Sequence, residues 1–326
     1  GAEGVKRPAL AIVTPALAAA NNGNWQTARR WAAMLAPAFR VRLTDHWDGG
    51  DEAALIALHA RRSAASVAAW RAVYPLRPLV VVLTGTDLYR DVDTDADAQR
   101  SLQSADRLVV LNELGAQRLP APLRARVVVS LQSAPARRPP PKPRRHLRAV
   151  MVGHLRAEKA PDTFLQAAQA LRHRPDIRLD LIGDALEPAW ADAARQAQAR
   201  CPALRWLGPL PHAAARRRIQ AAHLLVQPSR MEGGAHTVIE ALVSGTAVLA
   251  SRVDGNVGLL GADYAGLFEP GDSAGLARLL EQARDDPAML PRLQQQCAMR
   301  APLFAPEREA RRLRELMTDL IHAAVP

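Results

Sequence analysis

Short apolar runs alternate with segments of helical period along this chain. Runs at 8–14, 39–44, 54–59, 78–83, 107–111 and 125–130 predict strands, with helices at 24–36, 63–73 and 95–105 between them. That alternation predicts parallel sheets covered by helices. The proline-rich stretch SAPARRPPPKPRRH (133–146) then breaks the pattern, as a domain boundary does. Beyond it the pattern restarts. LRAVMV (147–152), IRLDLI (177–182), LRWL (204–207), HLLVQ (223–227) and AVLA (247–250) predict strands. Helices fit 161–172, 187–200, 211–222, 236–244, 273–285 and 287–300, and 306–322 is amphipathic. The expected architecture is α/β, with two Rossmann-like doubly wound domains facing across a cleft. Domain 1–136, a linker at 137–146 and domain 147–305 are the expected parts. Ligands bind such folds at the carboxyl ends of the strands.

Composition narrows the class. With 326 residues, the chain is long enough for two substantial cores. It is 48% hydrophobic, yet no apolar run reaches the length of a membrane span. No segment has the order of a signal peptide, and Cys201 and Cys297 lack metal-ligand spacing. The expectation is a soluble cytoplasmic protein with reduced thiols and no membrane partner. A net charge of +11 raises the question of nucleic acid, but aromatics are only 4% and none interleave with the basic runs. The arginines are scattered over helix faces, so no nucleic-acid partner is expected. What the charge favours is attraction of small anions.

The densest chemistry lies in HLLVQPSRMEGGAHTVIEALVSGTAVLA (223–250). A strand runs into a loop carrying Glu232, Gly233 and Gly234, then a helix begins near Ala235, His236 and Thr237 and carries Val238 and Glu240. Glycines admit close backbone approach, and a helix start offers free N–H groups to a diphosphate. Carboxylates accept hydrogen bonds from sugar and ribose hydroxyls. MVGHLRAEKAPDTF (151–164) brings Gly153, His154, Arg156 and Lys159 to another strand end, and LIGDA brings Gly183. Cations there suit a departing diphosphate; the plain alternative is surface charge on a loop.

In the first half, Asn21, Asn22, Gly23, Asn24 and Thr27 lie where the first strand gives way to a helix, which suits an anion or an ordinary capped turn. ALHARRSA places Arg61, Arg62 and Ser63 at a helix start, where cations are unfavourable without an anion. VVVLTGTDLYRD presents Thr84, Gly85 and Asp87 at a strand end. The run DVDTDAD (91–97) is expected to cap a helix near 95 and face solvent rather than hold a metal. No H-E-x-x-H, P-loop or strand-following G-x-G-x-x-G is present.

VGHLRAEKAPDTFLQAA, the E-x7-E unit with its following strand, VVLTGTDLYRD and SADRLVVLNE together resemble glycosyltransferase family 4, of the GT-B fold. The resemblance implies ribose binding by Glu240, a donor-sugar contact from Glu232, backbone contacts from Gly234 to Val238, and diphosphate binding by Lys159. It implies no metal or other cofactor, and a final helix within 306–326 that joins the first domain. His154 stands where the family has Arg, which shifts neutralisation toward Arg156, and Thr84 replaces a frequent His. TPALAAANNGNWQTARRWAAML, ALHARRSA and LTGTDLYRD are similar to selenosugar synthases. That similarity implies transfer from UDP-GlcNAc or UDP-glucose to selenophosphate, with Asp87, His154 and His236 as candidates for the later loss of phosphate. The alternatives are another small anionic or hydroxyl acceptor, or a non-catalytic nucleotide-sugar or nucleic-acid binder.

Overall fold

A computed structural model of the protein describes residues 6–17 and 23–325. The chain forms two compact units, one from residues 1–132 with 306–326 and one from 133–305. Each is built on a parallel six-stranded sheet.

The first unit contains β1 (Ala9–Val13), β2 (Arg40–Thr44), β3 (Ala54–Leu58), β4 (Leu79–Leu83), β5 (Arg107–Val110) and β6 (Val127–Val129) in the order β2-β1-β3-β4-β5-β6. β3 and β4 are buried along their whole length, so they read as unbroken apolar runs rather than alternating ones. One face carries Trp47, Trp70 and Leu102, and the other carries Trp31, Leu35 and Phe39. Helix Pro306–Ala324 closes that second face with Leu313 and Met317. Its Glu309 is 2% exposed, and its carboxylate accepts from Arg30 Nε at 2.7 Å and Trp31 Nε1 at 3.0 Å. A buried carboxylate held by a guanidinium and an indole fixes the helix in place. The strand order reverses between β1 and β3.

The second unit contains β7 (Leu147–Val152), β8 (Ile177–Ile182), β9 (Leu204–Gly208), β10 (Leu224–Gln227), β11 (Ala247–Ser251) and β12 (Leu267–Phe268). Their order is β12-β11-β10-β7-β8-β9, so the chain reverses direction across the sheet between β7 and β10. Loops leaving those two strands flank the crevice where doubly wound sheets bind ligands. β12 and the helix Asp254–Leu260 lie outside the elements that the periodicity predicts.

The proline stretch expected as a linker at 137–146 packs along the second unit. Arg137 N–H donates to Val243 O at 3.0 Å, and Lys142 Nζ donates to Thr246 Oγ1 at 3.2 Å. Pro143 O accepts from His223 Nε2 at 2.7 Å. Prolines lack N–H donors, so this segment cannot join a sheet interior, but its carbonyls still accept. Among the described residues, no helix is long and apolar enough to cross a membrane.

Candidate functional site

The ends of β7 and β8 touch. A Cβ on Gly183 would lie 1.8 Å from Gly153 O, so this contact exists only with glycine there. The chain after Gly153 passes His154 and Arg156, makes a short turn at Ala157–Lys159, and takes a left-handed residue at Ala160 before Pro161 opens a helix. The turn aims Lys159 at the loop after β10. There Lys159 Nζ meets Glu232 Oε1 at 2.7 Å.

Glu232 is 7% exposed, and the same oxygen also accepts from Gln227 Nε2 at 2.8 Å and Ser229 Oγ at 2.6 Å. A buried carboxylate with three donors, one of them cationic, is held in a single orientation. Each holder is itself held. Thr237 Oγ1 donates to Gln227 Oε1 at 3.1 Å, and Ser251 Oγ donates to Ser229 O at 2.6 Å. Asn256 Nδ2 donates to Ser251 O at 3.1 Å. Gly255 lies so close that a Cβ would fall 2.1 Å from Glu232 O.

Gly233, Gly234 and Ala235 are buried and lead into the helix His236–Val243. No side chain caps that helix, and its first turn has no acidic residue. Its N–H groups and partial positive charge therefore remain suited to an anion. Val238 is buried on this helix. Glu240, 3% exposed, lies one turn after His236. His212 Nε2 stands 3.1 Å from its Oε2, and His236 Nδ1 stands 3.5 Å from its Oε1. Burial alone would raise this carboxyl, but the hydrogen bonds with His212 and His236 outweigh it and hold the pKa at about 2. Half-buried His154 is pushed down, mainly by burial and then by the charge of Arg156. Its Nδ1 is buried without a partner.

In the first unit, the residues that follow the neighbouring strands β3 and β4 meet. His59, buried after β3, has a left-handed φ of 76°. Its Nε2 lies 2.9 Å from Thr86 Oγ1, and its Nδ1 accepts the N–H of Arg62 at 3.1 Å. A non-glycine residue at positive φ persists only where its surroundings hold it.

Three sequence expectations change here. Asp87, expected to act in catalysis, is fully buried. Its Oδ1 accepts from the N–H groups of Thr84, Gly85 and Leu88, and its Oδ2 from that of Ala60. This carboxylate staples two loops, since buried backbone donors require acceptors. Ser63, expected to bind an acceptor, is buried with its hydroxyl donated to Leu58 O. Arg61 is drawn to Asp91, with Nε 2.8 Å from Oδ2. Arg62 is exposed, Gly85 is buried and Thr84 is half-buried. Gly23 and Asn24 open the helix Gly23–Leu35, and Thr27 is buried on it. Asn21 and Asn22 lie outside the described residues. Asp95 caps the helix Ala96–Ser104, as expected of the acidic run, by accepting from Ala98 N–H at 2.8 Å.

The sequence reading missed Gln227, Ser229, His212, Gly255 and Asn256. A Gly-rich 254–258 segment directly after a buried strand was the available signal for the last two.

Residues 133–302 match the family model described as glycosyl transferases group 1. The chain belongs to that family. Its fold is α/β with two Rossmann-like units, of the GT-B kind. Curated relatives include the D-inositol 3-phosphate glycosyltransferases of Streptomyces avermitilis, 30% identical over 187 residues, and of Streptomyces coelicolor, 29% identical over 187 residues. Each match spans 53% of this chain and 40% of the relative. Among solved structures, the sucrose-phosphate synthase of Thermosynechococcus elongatus superposes with a TM-score of 0.78 at 17% identity, covering 97% of this chain and 100% of that one. Anabaena Alr3699/HepE in complex with UDP-glucose gives 0.77 at 14% identity, covering 96% and 100%.

Proposed function

We propose that this protein transfers a sugar from a UDP-sugar, UDP-GlcNAc or UDP-glucose, to selenophosphate. The observation that carries the donor half is the Lys159–Glu232 contact of 2.7 Å beside the uncapped start of helix His236–Val243. Glu240 takes the ribose hydroxyls, Glu232 the donor sugar, and Gly233 to Val238 the phosphates. As the C1–O bond of the donor breaks, UDP leaves with the electron pair. Lys159 and the helix start, with Arg156 nearby in sequence, stabilise that developing charge. Selenium attacks C1 and forms the C–Se bond. Water then splits the Se–P bond, giving a 1-selenosugar and phosphate. His154 and His236 remain candidates for that later step.

The acceptor half rests on the first unit. Gly23, Asn24 and Arg62 lie at helix starts beside the switch between β1 and β3, and suit a small anion. The similarity of the first unit's TPALAAANNGNWQTARRWAAML segment to selenosugar synthases supports selenophosphate as that anion.

The likeness to D-inositol 3-phosphate glycosyltransferases favours a second reading, with a phosphorylated polyol as acceptor. Mass spectrometry after incubation with UDP-GlcNAc and selenophosphate, or with inositol phosphate, separates the two. A selenium-bearing sugar is expected. Glycosylated inositol phosphate with no selenium product overturns the first reading.

A further inference from the structure

Two imidazoles converge on the buried carboxylate of Glu240. One ligand atom from each of His212, His236 and Glu240 lies within 4.8 Å of the others. The His212–Glu240 and His236–Glu240 separations are 3.1 and 3.5 Å. A tetrahedral ion with ligand bonds of ~2.0–2.1 Å sets its ligand atoms about 3.3 Å apart. The two contacts fall on different carboxylate oxygens, Oε2 for His212 and Oε1 for His236, and each is near that spacing. His212 is exposed on the first turn of helix His212–Ala221, so its ring has room to adjust to an ion.

The second nitrogen of His236 strengthens the case. His236 Nε2 lies 2.9 Å from the carbonyl oxygen of Ser133. A carbonyl only accepts, so Nε2 carries a hydrogen, and Nδ1 is the ring nitrogen turned toward Glu240. Metal-binding imidazoles are oriented in this way, by a backbone carbonyl on the nitrogen away from the ion. The buried carboxylate contributes negative charge to the set.

We propose that His212, His236 and Glu240 bind one Zn²⁺-class ion. Two imidazoles and one carboxylate suit Zn²⁺ and Co²⁺, whereas Mg²⁺ and Ca²⁺ take all-oxygen sets. Arg216 Nη1, 3.8 Å from Glu240 Oε2, opposes the ion's charge. Its guanidinium is anchored elsewhere, donating to Ser244 Oγ at 3.0 Å and to Pro135 O. That opposition makes the ion exchangeable rather than structural. Resting on the donor reading proposed above, the ion and UDP compete for one carboxylate.

Titrating the metal-stripped full chain with Co²⁺, followed by visible absorption and calorimetry, tests the site. One ion per chain is expected, with the intense visible bands of a tetrahedral nitrogen–oxygen set. His212→Ala, at an exposed position, is expected to weaken binding at least about tenfold while circular dichroism stays unchanged. Absence of Co²⁺ binding, or equal binding by His212→Ala, overturns the site. UDP is expected to displace the ion. An ion that depends on His212 but resists UDP keeps the metal site and overturns the assignment of Glu240 to the nucleotide.

Discussion

Lys159 and Glu232 are 73 residues apart in sequence, and their side chains meet at 2.7 Å across the switch between β7 and β10. The ammonium holds the carboxylate of one loop from the other, and so fixes both loops. Lys159→Ala removes that cation from beside the proposed diphosphate position. Removing one charge-stabilising group from such a site costs about 10²–10³ in turnover. The expected result is a fall in kcat of that order with UDP-sugar, with Lys159→Arg recovering part of it. Full activity in Lys159→Ala, measured by UDP release, would remove the lysine from the mechanism.

Gly255 supports the same carboxylate from behind. A methyl there falls 2.1 Å from Glu232 O and 2.5 Å from Glu232 Cβ, far inside van der Waals contact. Either the helix Asp254–Leu260 or the loop before it must move. Gly255→Ala is expected to cost about 1–3 kcal/mol in stability, as overpacking does, and to lower kcat because Glu232 shifts. Urea unfolding followed by circular dichroism, beside steady-state kinetics, measures both. A variant as stable as the parent would show that the loop has room to spare.

Much of this was legible in the sequence. Strands such as Ala54–Leu58 and Leu79–Leu83 are apolar on both faces and end in polar or glycine residues, so their limits stand out. Lys159, Glu232 and Glu240 stand out in the sequence at strand ends and in the E-x7-E unit, and the structure brings Lys159 and Glu232 together. Leu267–Phe268 was not, since two residues carry no period. Asp254–Leu260 was hidden by two glycines, which lower helix propensity; Gly255 is kept for its close approach to Glu232. Asp87 and Ser63 misled for a different reason. Polar residues beside strand ends look outward to a ligand in sequence, yet both are buried on backbone partners. Backbone groups in a turn need partners as much as a substrate does.

Arg62 offers a separate test of the first unit. It is exposed beside buried His59, whose ring nitrogen fixes the Arg62 backbone. Arg62→Ala therefore removes charge without removing the loop's anchor. If the acceptor is an anion bound there, its KM rises about tenfold or more, the range for a charge-assisted contact, while the KM for the UDP-sugar stays put. Equal effects on both constants, in initial-rate measurements with each substrate varied, would place Arg62 on the donor instead.

Cys297 sets an alkaline limit on stability. It is 2% exposed, and burial pushes its thiol up to about 11, against weaker opposing hydrogen bonds from Tyr264 and Val248. A folded-state pKa raised above the ordinary 9 stabilises fully below pH 9 and loses that contribution as pH rises toward 11. The loss is on the order of 2–3 kcal/mol. Lys142 works in the opposite sense over part of that window: burial lowers it from 10.5 to about 8, and between those values the unfolded lysine holds a proton that the folded one has shed, so stability rises with pH. Comparing the parent with Cys297→Ala cancels the lysine, which both share. Urea midpoints from pH 8 to about 11 are expected to fall more steeply for the parent, even if the variant starts lower because of its cavity. Parallel profiles would mean that the thiol reaches water in the folded protein. Reaction with a thiol-specific reagent at pH 8 supplies the independent check: neither Cys297 nor buried Cys201 is expected to react until the chain unfolds.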